Sequence, residues 1–351
     1  MNVTPALPAL SGGPRLTGGT LADLASPSRE VVWRHLRALR HQPPGRASGG
    51  ERRRVFGAAL EQAQQLFAAA ASVDHASQPI LLFYGLSQAG RAIAACSTAA
   101  GHNDWRLTGH GIEVPNLDQR PELPDLAIAN KRKGSFTQLA PLLHSGSLPA
   151  GASLGQIWLT IPDLANPLLG NVSNYLPTLR LAHLSEDGRP EFSSWIEGMP
   201  WRFAEPYTEA EFVEFCSSYP TLAGSVGRPV ASQPPLLDEE RQSVQVHRAW
   251  TLTESDDPGK FLSRHTRPYL GDDDRYIFPS VGGDQQTLHP LLAWWAILFV
   301  LSMLARYQPD TWTADLEVDK SPYAVPLEAL LDRALVTCPQ LILHAIRSVS
   351  T

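Results

Sequence analysis

The stretch PLLAWWAILFVLSMLA, Pro290 to Ala305, constrains this chain more than any other: its 16 residues hold one Ser and no charge. A helix that is apolar on all sides has to be buried, either in a protein core or in a bilayer. A bilayer span needs about 20 consecutive apolar residues, and here His289 and Arg306 close the run at both ends. The run therefore predicts a central core helix rather than a membrane segment. The rest of the chain must supply helices or sheets that cover it.

The first hundred residues look able to do so. SPSREVVWRHLRALRH predicts a helix with Ser28 as N-cap, ended by Pro43-Pro44, with Val32, Leu36 and Leu39 as its apolar stripe. ERRRVFGAALEQAQQLFAAAASV predicts a second helix over Glu51–Val73, Ala-rich and strongly helical. QPILLFYGLSQAGRAIAA predicts a third, from Pro79 in its first turn to about Ala100, with Gly101 ending it. At the other end, SPYAVPLEALLDRALVTCPQLILHAIRSV shows leucines at helical spacing, with Pro339 dividing it into two helices.

Between these regions the character changes. Residues 103–285 are Pro-rich. Short alternating runs such as QSVQVHRAWTLT are strand-like, GSFTQLAPLLHSGSLP reads as a short helix, and Thr208 with Glu211 forms a capping box before an amphipathic helix. The expected fold is mainly α: a disordered tail over 1–20, then one domain over 21–351. Helical segments 21–102 and 286–351 form its core, and 103–285 is a mixed α+β insert with a small sheet.

Composition narrows the chemistry. The formal net charge is −6, which gives no global attraction to nucleic acid. The charge is uneven, however: Arg29–Arg54 holds eight Arg against two Glu, a local +6. Such a segment marks an anion site, a contact between two parts of the molecule, or a solvated basic face. The three cysteines, Cys96, Cys216 and Cys338, are isolated and form no CxxC pair, so no disulfide framework and no zinc site is expected and a reducing cytoplasm fits. The N-terminus has no basic start followed by a continuous apolar stretch, which argues against a signal peptide. LGDDDRY, with Asp272–Asp274, lacks the spacing and distal Glu of a calcium loop and reads as an exposed acidic turn. HExxH, GxGxxG and Walker patterns are absent, and neither a metal nor a cofactor is expected.

Some polar residues stand out against this background. Tyr84, Gln88 and Arg91 share one face of the third helix, a polar stripe on an apolar element. A buried Arg there has to be paired internally or bind an anion. His110 lies between two glycines in TGHGIEV. Lys131, Arg132 and Lys133 precede GSFT at a helix start, where cations and free amides can receive phosphate. Arg306 at the end of the apolar helix suits that helix's dipole, or it faces the same cavity as Arg91, together with Trp312. Arg34 and His41, seven apart on the first helix, could serve metal-independent RNA cleavage, with the His moving a proton and the Arg steadying phosphorane charge. That R-x6-H spacing resembles the motif of HEPN ribonuclease-like families.

Four stretches in order, QPILLFYGLSQAGRA, TGHGIEV, KGSFTQLAPLLHSG and FVLSMLARYQPDTW, make the chain similar to the YaaC-like proteins of bacteria over roughly residues 30 to 347. The resemblance picks out Tyr84, Gly85, His110, Gly111, Phe136, Arg306, Tyr307 and Trp312. It implies a cytoplasmic bacterial protein with a largely helical fold, and it transfers no catalytic residue. The Arg34/His41 pair falls outside the four stretches.

The expected function is noncatalytic: a binding or regulatory protein that recognises a nucleotide, nucleic acid or protein partner through Tyr84, Gln88, Arg91, His110, Lys131, Arg132, Lys133 and Arg306. The alternatives are a HEPN-like ribonuclease using Arg34 and His41, and a structural subunit of a larger complex.

Overall fold

The computed structural model describes residues 28–101, 103–166, 168–170, 175–185, 191–230, 233–239, 243–251, 258–271 and 275–351. The tail expected over 1–20 and the acidic turn Asp272–Asp274 lie outside them.

Three helices come first: α1 (Arg29–His41), α2 (Gly50–Ala70) and α3 (Gln78–Cys96). Val32 and Leu36 of α1 and Ala59, Leu60, Ala63 and Phe67 of α2 are buried, as their spacing requires. The third helix stops at Cys96 rather than near Ala100. The chain there is drawn off the helical path by arginines of the basic segment. Arg52 donates to the carbonyls of Ser97 (3.2 Å), Ala100 (3.0 Å) and Gly101 (2.8 Å), and Arg46 donates to Ala100 (2.7 Å). The Thr98 N–H turns to the Val349 carbonyl at 2.9 Å. Part of the local positive charge thus serves as a contact between parts of the molecule.

Next come β1 (Ile112–Glu113), β2 (Ala127–Asn130), α4 (Ser135–Leu142), β3 (Ala152–Ser153) and α5 (Leu154–Trp158). The three strands form a small antiparallel sheet in the order β1-β2-β3. The apolar residues of these strands and of α4 and α5, among them Ile112, Ile128, Phe136, Leu139, Ile157 and Trp158, join the same core as the first three helices.

The following segment builds a second layer with a core of its own. It contains β4 (Leu179–Ser185), β5 (Glu191–Pro200), α6 (Glu209–Cys216), β6 (Arg228–Pro229), β7 (Leu236–Asp238), β8 (Ser243–Thr251), α7 (Pro258–His265), β9 (Arg267–Pro268) and β10 (Arg275–Ile277). Seven strands pair antiparallel in the order β6-β8-β5-β4-β10-β9, with β7 also on β8. Phe192, Ile196 and Met199 of β5 and Val244, Val246 and Trp250 of β8 project to one face, where Phe212 and Phe215 of α6 cover them. Thr208 and Glu211 form the capping box that starts α6.

This overturns the mainly α expectation. With 51% helix, 14% strand and antiparallel sheets of three and seven strands, the fold is α+β. The sequence reading undercounted strand because much of the large sheet's edge is made of strands two or three residues long, too short to show a period.

The last elements are α8 (Pro290–Tyr307), α9 (Pro309–Asp315) and α10 (Ala324–Ser350). Helix α8 is buried along nearly its whole length, with Trp294, Trp295, Ile297, Leu298 and Leu301 each at most 1% exposed. Both α8 and α10 are long and apolar enough to cross a bilayer, yet 72% and 67% of their apolar windows are buried inside the protein. Contrary to expectation, α10 runs unbroken through Pro339. Proline removes one backbone bond and strains the turn before it, but Leu330, Leu331 and Ala334 before it and Leu341, Ile342 and Ala345 after it are buried in one core. Burying both halves together outweighs the lost bond.

Helix α3 lies at the centre, and two glycines let its neighbours approach. A Cβ on Gly85 would stand 2.8 Å from the Phe67 ring of α2, and one on Gly90 would stand 2.6 Å from the Trp295 ring of α8. Gly90→Ala is therefore expected to destabilise the protein by ~1–3 kcal/mol through overpacking. Gly57→Ala, on α2 with open space around the added methyl, should stabilise it by ~0.5–1 kcal/mol through helix propensity and reduced unfolded-state entropy. Urea unfolding of both variants measures the contrast.

The entry to α8 is also pH-sensitive. His289 caps the helix, its Nδ1 accepting from the Leu291 N–H at 3.1 Å, so the ring must be neutral. Burial, with His344 nearby, pushes its pKa from 6.5 down to about 4. A depressed histidine contributes stability that is complete above its unfolded pKa and is lost as pH falls through the folded one. Thermal melts should therefore lose stability from about pH 6.5 toward pH 4. The loss should be shallower in His289→Asn, which keeps a capping oxygen without the titration.

Candidate functional site

Helix α3 is buried around most of its circumference, and Tyr84, Gln88 and Arg91 lie on its one accessible stripe. Tyr84 is 37% exposed, while Gln88 and Arg91 are half-buried. The Arg91 guanidinium donates to Gln88 Oε1 at 3.0 Å. No carboxylate pairs with Arg91 among the described residues, so the internal salt bridge that a buried Arg would require is not what holds it.

Two further elements bring side chains to this stripe. From the last turn of α8, Arg306 donates through Nε to the Ser302 carbonyl (2.9 Å) and through Nη1 to the Tyr84 hydroxyl (3.2 Å). Arg306 therefore satisfies its own helix end and also reaches across to α3. Its guanidinium lies 5.7 Å from the centre of the Tyr84 ring and 5.2 Å from that of Tyr307, which is 64% exposed. Such placements are attractive through the ring quadrupoles. No carboxylate pairs with Arg306 among the described residues either.

The second element is the Gly109–Gly111 loop, which carries His110. Gly109 and Gly111 have φ of 65° and 81°, in the region that favours glycine. The loop passes so close to Gly134 that a Cβ on Gly111 would stand 2.9 Å from the Gly134 carbonyl carbon. The His110 ring, open to solvent on one side, packs 5.4 Å from Phe83 and 5.8 Å from Phe299. Burial, then Arg306, then Arg91 lower its pKa below 6.5. All three influences act in the same direction, so His110 senses two cations and no compensating anion.

The three lysine-loop cations are placed differently. Lys131 pairs with Glu113 at 2.9 Å and Lys133 with Asp104 at 3.6 Å. Arg132 is exposed, with its backbone at φ 53°. The helix start they precede is already capped: the Ser135 N–H donates to the Gly109 carbonyl (3.2 Å) and the Phe136 N–H to the His110 carbonyl (2.9 Å). The amides expected to receive phosphate instead hold the histidine loop. Trp312 does not join the cluster, since its buried indole N–H donates to the Ala76 carbonyl at 3.0 Å. Arg34 and His41 are exposed on α1, with no hydrogen bond or ion pair between their side chains among the described residues.

Two residues that sequence reasoning did not assign to the site belong to it. Tyr307 flanks Arg306, and Phe83 supports His110. The signal for Tyr307 was its place next to Arg306 at the solvent end of an apolar helix. Phe83 carried none, because it reads as ordinary core.

Cavities of about 200 and 230 Å³ lie elsewhere. The first, beside α8 and α9, is lined in part by Arg120, Glu122, Gln308 and Asp315, where burial and Glu122 push the Asp315 carboxyl up to about 6. It mixes acids with its single cation and offers an anion no net attraction. The cluster of Tyr84, Gln88, Arg91, His110, Arg306 and Tyr307 does, so it is the candidate site. Among the described residues no group of three or more His, Cys, Asp or Glu is placed to hold a metal ion.

Fold and site together define an α+β protein with an open cationic and aromatic surface. A family model described as YaaC-like Protein matches residues 25–346, and the chain belongs to that family. No curated protein and no solved structure matches it.

Removing either cation should release His110 from part of its repulsion. Arg306→Gln is expected to raise the His110 pKa, and Arg91→Gln to raise it by less, since Arg306 is the stronger influence. An NMR titration of the His110 ring protons in the three proteins gives the order directly.

Proposed function

We propose that this protein recognises a phosphate-bearing ligand at the α3–α8 surface and binds it without transforming it, as a binding or regulatory protein. The observation that carries this reading is the pair Arg91 and Arg306 on the α3–α8 surface, neither with a carboxylate partner among the described residues, near the exposed ring of His110. Half-buried guanidinia are costly to leave unpaired, and their planar forks match phosphate oxygens bidentately. His110 adds a donor, and its protonation becomes favourable once an anion replaces the repulsion of Arg91 and Arg306. The YaaC-like family brings no reaction to this site, and no observation favours cleavage by Arg34 and His41.

Inorganic pyrophosphate is a minimal probe. At 10–100 times its Kd, a ligand that binds only the folded state stabilises it by roughly 1.4–2.7 kcal/mol, seen as a rise in Tm. Arg91→Gln should lose that rise while keeping its ligand-free melting temperature near wild type. The effect should weaken with added salt, because the site is partly exposed. A Tm indifferent to pyrophosphate in the wild-type protein at low salt would end the anion reading.

A further inference from the structure

The rings around Arg306 go further than charge. Its guanidinium lies near both Tyr84 and Tyr307, at 5.7 and 5.2 Å from their ring centres. Both rings rank among the exposed large apolar side chains, at 37% and 64%. Phosphate recognition alone gives no reason to hold two solvent-facing aromatic rings beside the cations. A planar partner does, since a ring stacked on Tyr307 removes apolar surface from water while Arg306 stays within reach of an attached phosphate.

Resting on the anion reading above, we propose that the ligand is a nucleotide unit, its base stacked on Tyr307 and its phosphate held by Arg91, Arg306 and His110. The site lies on an open surface, with Tyr84, His110 and Tyr307 all exposed, rather than in an enclosing pocket. Openness suits a chain that enters and leaves along the surface, so a single strand of nucleic acid is the favoured source and a free nucleotide the other. The overall negative charge of the protein gives no global attraction to a polyanion, so a short footprint with few phosphate contacts is expected at this cluster.

The test compares three probes at low salt by equilibrium titration: inorganic pyrophosphate, uridine monophosphate and a fluorescent uridine decamer. It uses wild-type protein, Tyr307→Leu, Tyr307→Phe and Arg91→Gln, each checked by thermal melting. Base stacking on an aromatic side chain is worth ~1–3 kcal/mol, so Tyr307→Leu should weaken a nucleotide-bearing probe about 5- to 150-fold. It should leave pyrophosphate within twofold, and Tyr307→Phe should restore the nucleotide affinity. Arg91→Gln should weaken all three. A decamer tighter than the monophosphate identifies the strand as source, and equal affinities identify the free nucleotide. If Tyr307→Leu leaves nucleotide and pyrophosphate binding alike, the stacking inference is wrong while the anion site stands. If no probe binds the wild-type protein, the anion reading falls and this one falls with it.

Discussion

The closeness of α3 to α8 at Gly90 is the contact on which the rest of the structure depends. An apolar helix such as α8 cannot be left in water, and burying an indole ring of Trp295 against a neighbouring backbone requires a residue without a side chain at the crossing. Gly90 supplies that gap, Gly85 supplies the matching one toward α2, and α3 becomes the central helix. Once α3 and α8 are fixed side by side, Tyr84 of one lies within hydrogen-bonding distance of Arg306 of the other. The site is therefore a consequence of core packing, carried on rigid helices rather than on a loop. Only His110 comes from a loop, and that loop is held by a glycine-to-glycine crossing and by two amides of α4.

The arginines divide into two groups by what they meet. Arg46 and Arg52 are spent on carbonyls where α3 ends, Arg40 pairs with Glu61 at 2.6 Å, and Arg106 pairs with Glu51 at 2.6 Å. These cations hold the protein together. Among the described residues, Arg91 and Arg306 are bonded only to neutral groups, an amide, a backbone carbonyl, hydroxyls and a thioether. A positive charge in contact with neutral dipoles is not cancelled by them, so burial first, and then Arg306 and Arg91, push His110 toward its neutral form. That distinction, rather than the number of cations nearby, separates a site from a surface.

Much of the helical frame was legible in the sequence, because α1 and α2 carry apolar periodicity and α8 is a continuous apolar run with recognisable stops. The polar stripe on α3 was legible for the same reason, as a break in an otherwise apolar pattern. The large sheet was read too small. Strands of two or three residues such as β6, β7, β9 and β10 leave no alternation to count, and the pairing of β10 with β4 and of β6 with β8 is set by partners distant in sequence. Pro339 was read as a break because local rules price the lost hydrogen bond without seeing the core on both sides of it. The ion pairs of Lys131 and Lys133 were not legible, because their partners, Glu113 and Asp104, lie 18 and 29 residues back in sequence.

By itself the sequence determined that a fully apolar helix must be buried, that three helices precede it, and that Tyr84, Gln88 and Arg91 share a face. These are local facts, fixed by side-chain periodicity along a single element. Only the tertiary structure decided which cations, among the described residues, meet no carboxylate, where His110 stands, and that Arg306 lies near both Tyr84 and Tyr307. The net field at a group depends on every neighbour brought within a few ångströms, and folding chooses those neighbours from opposite ends of the chain.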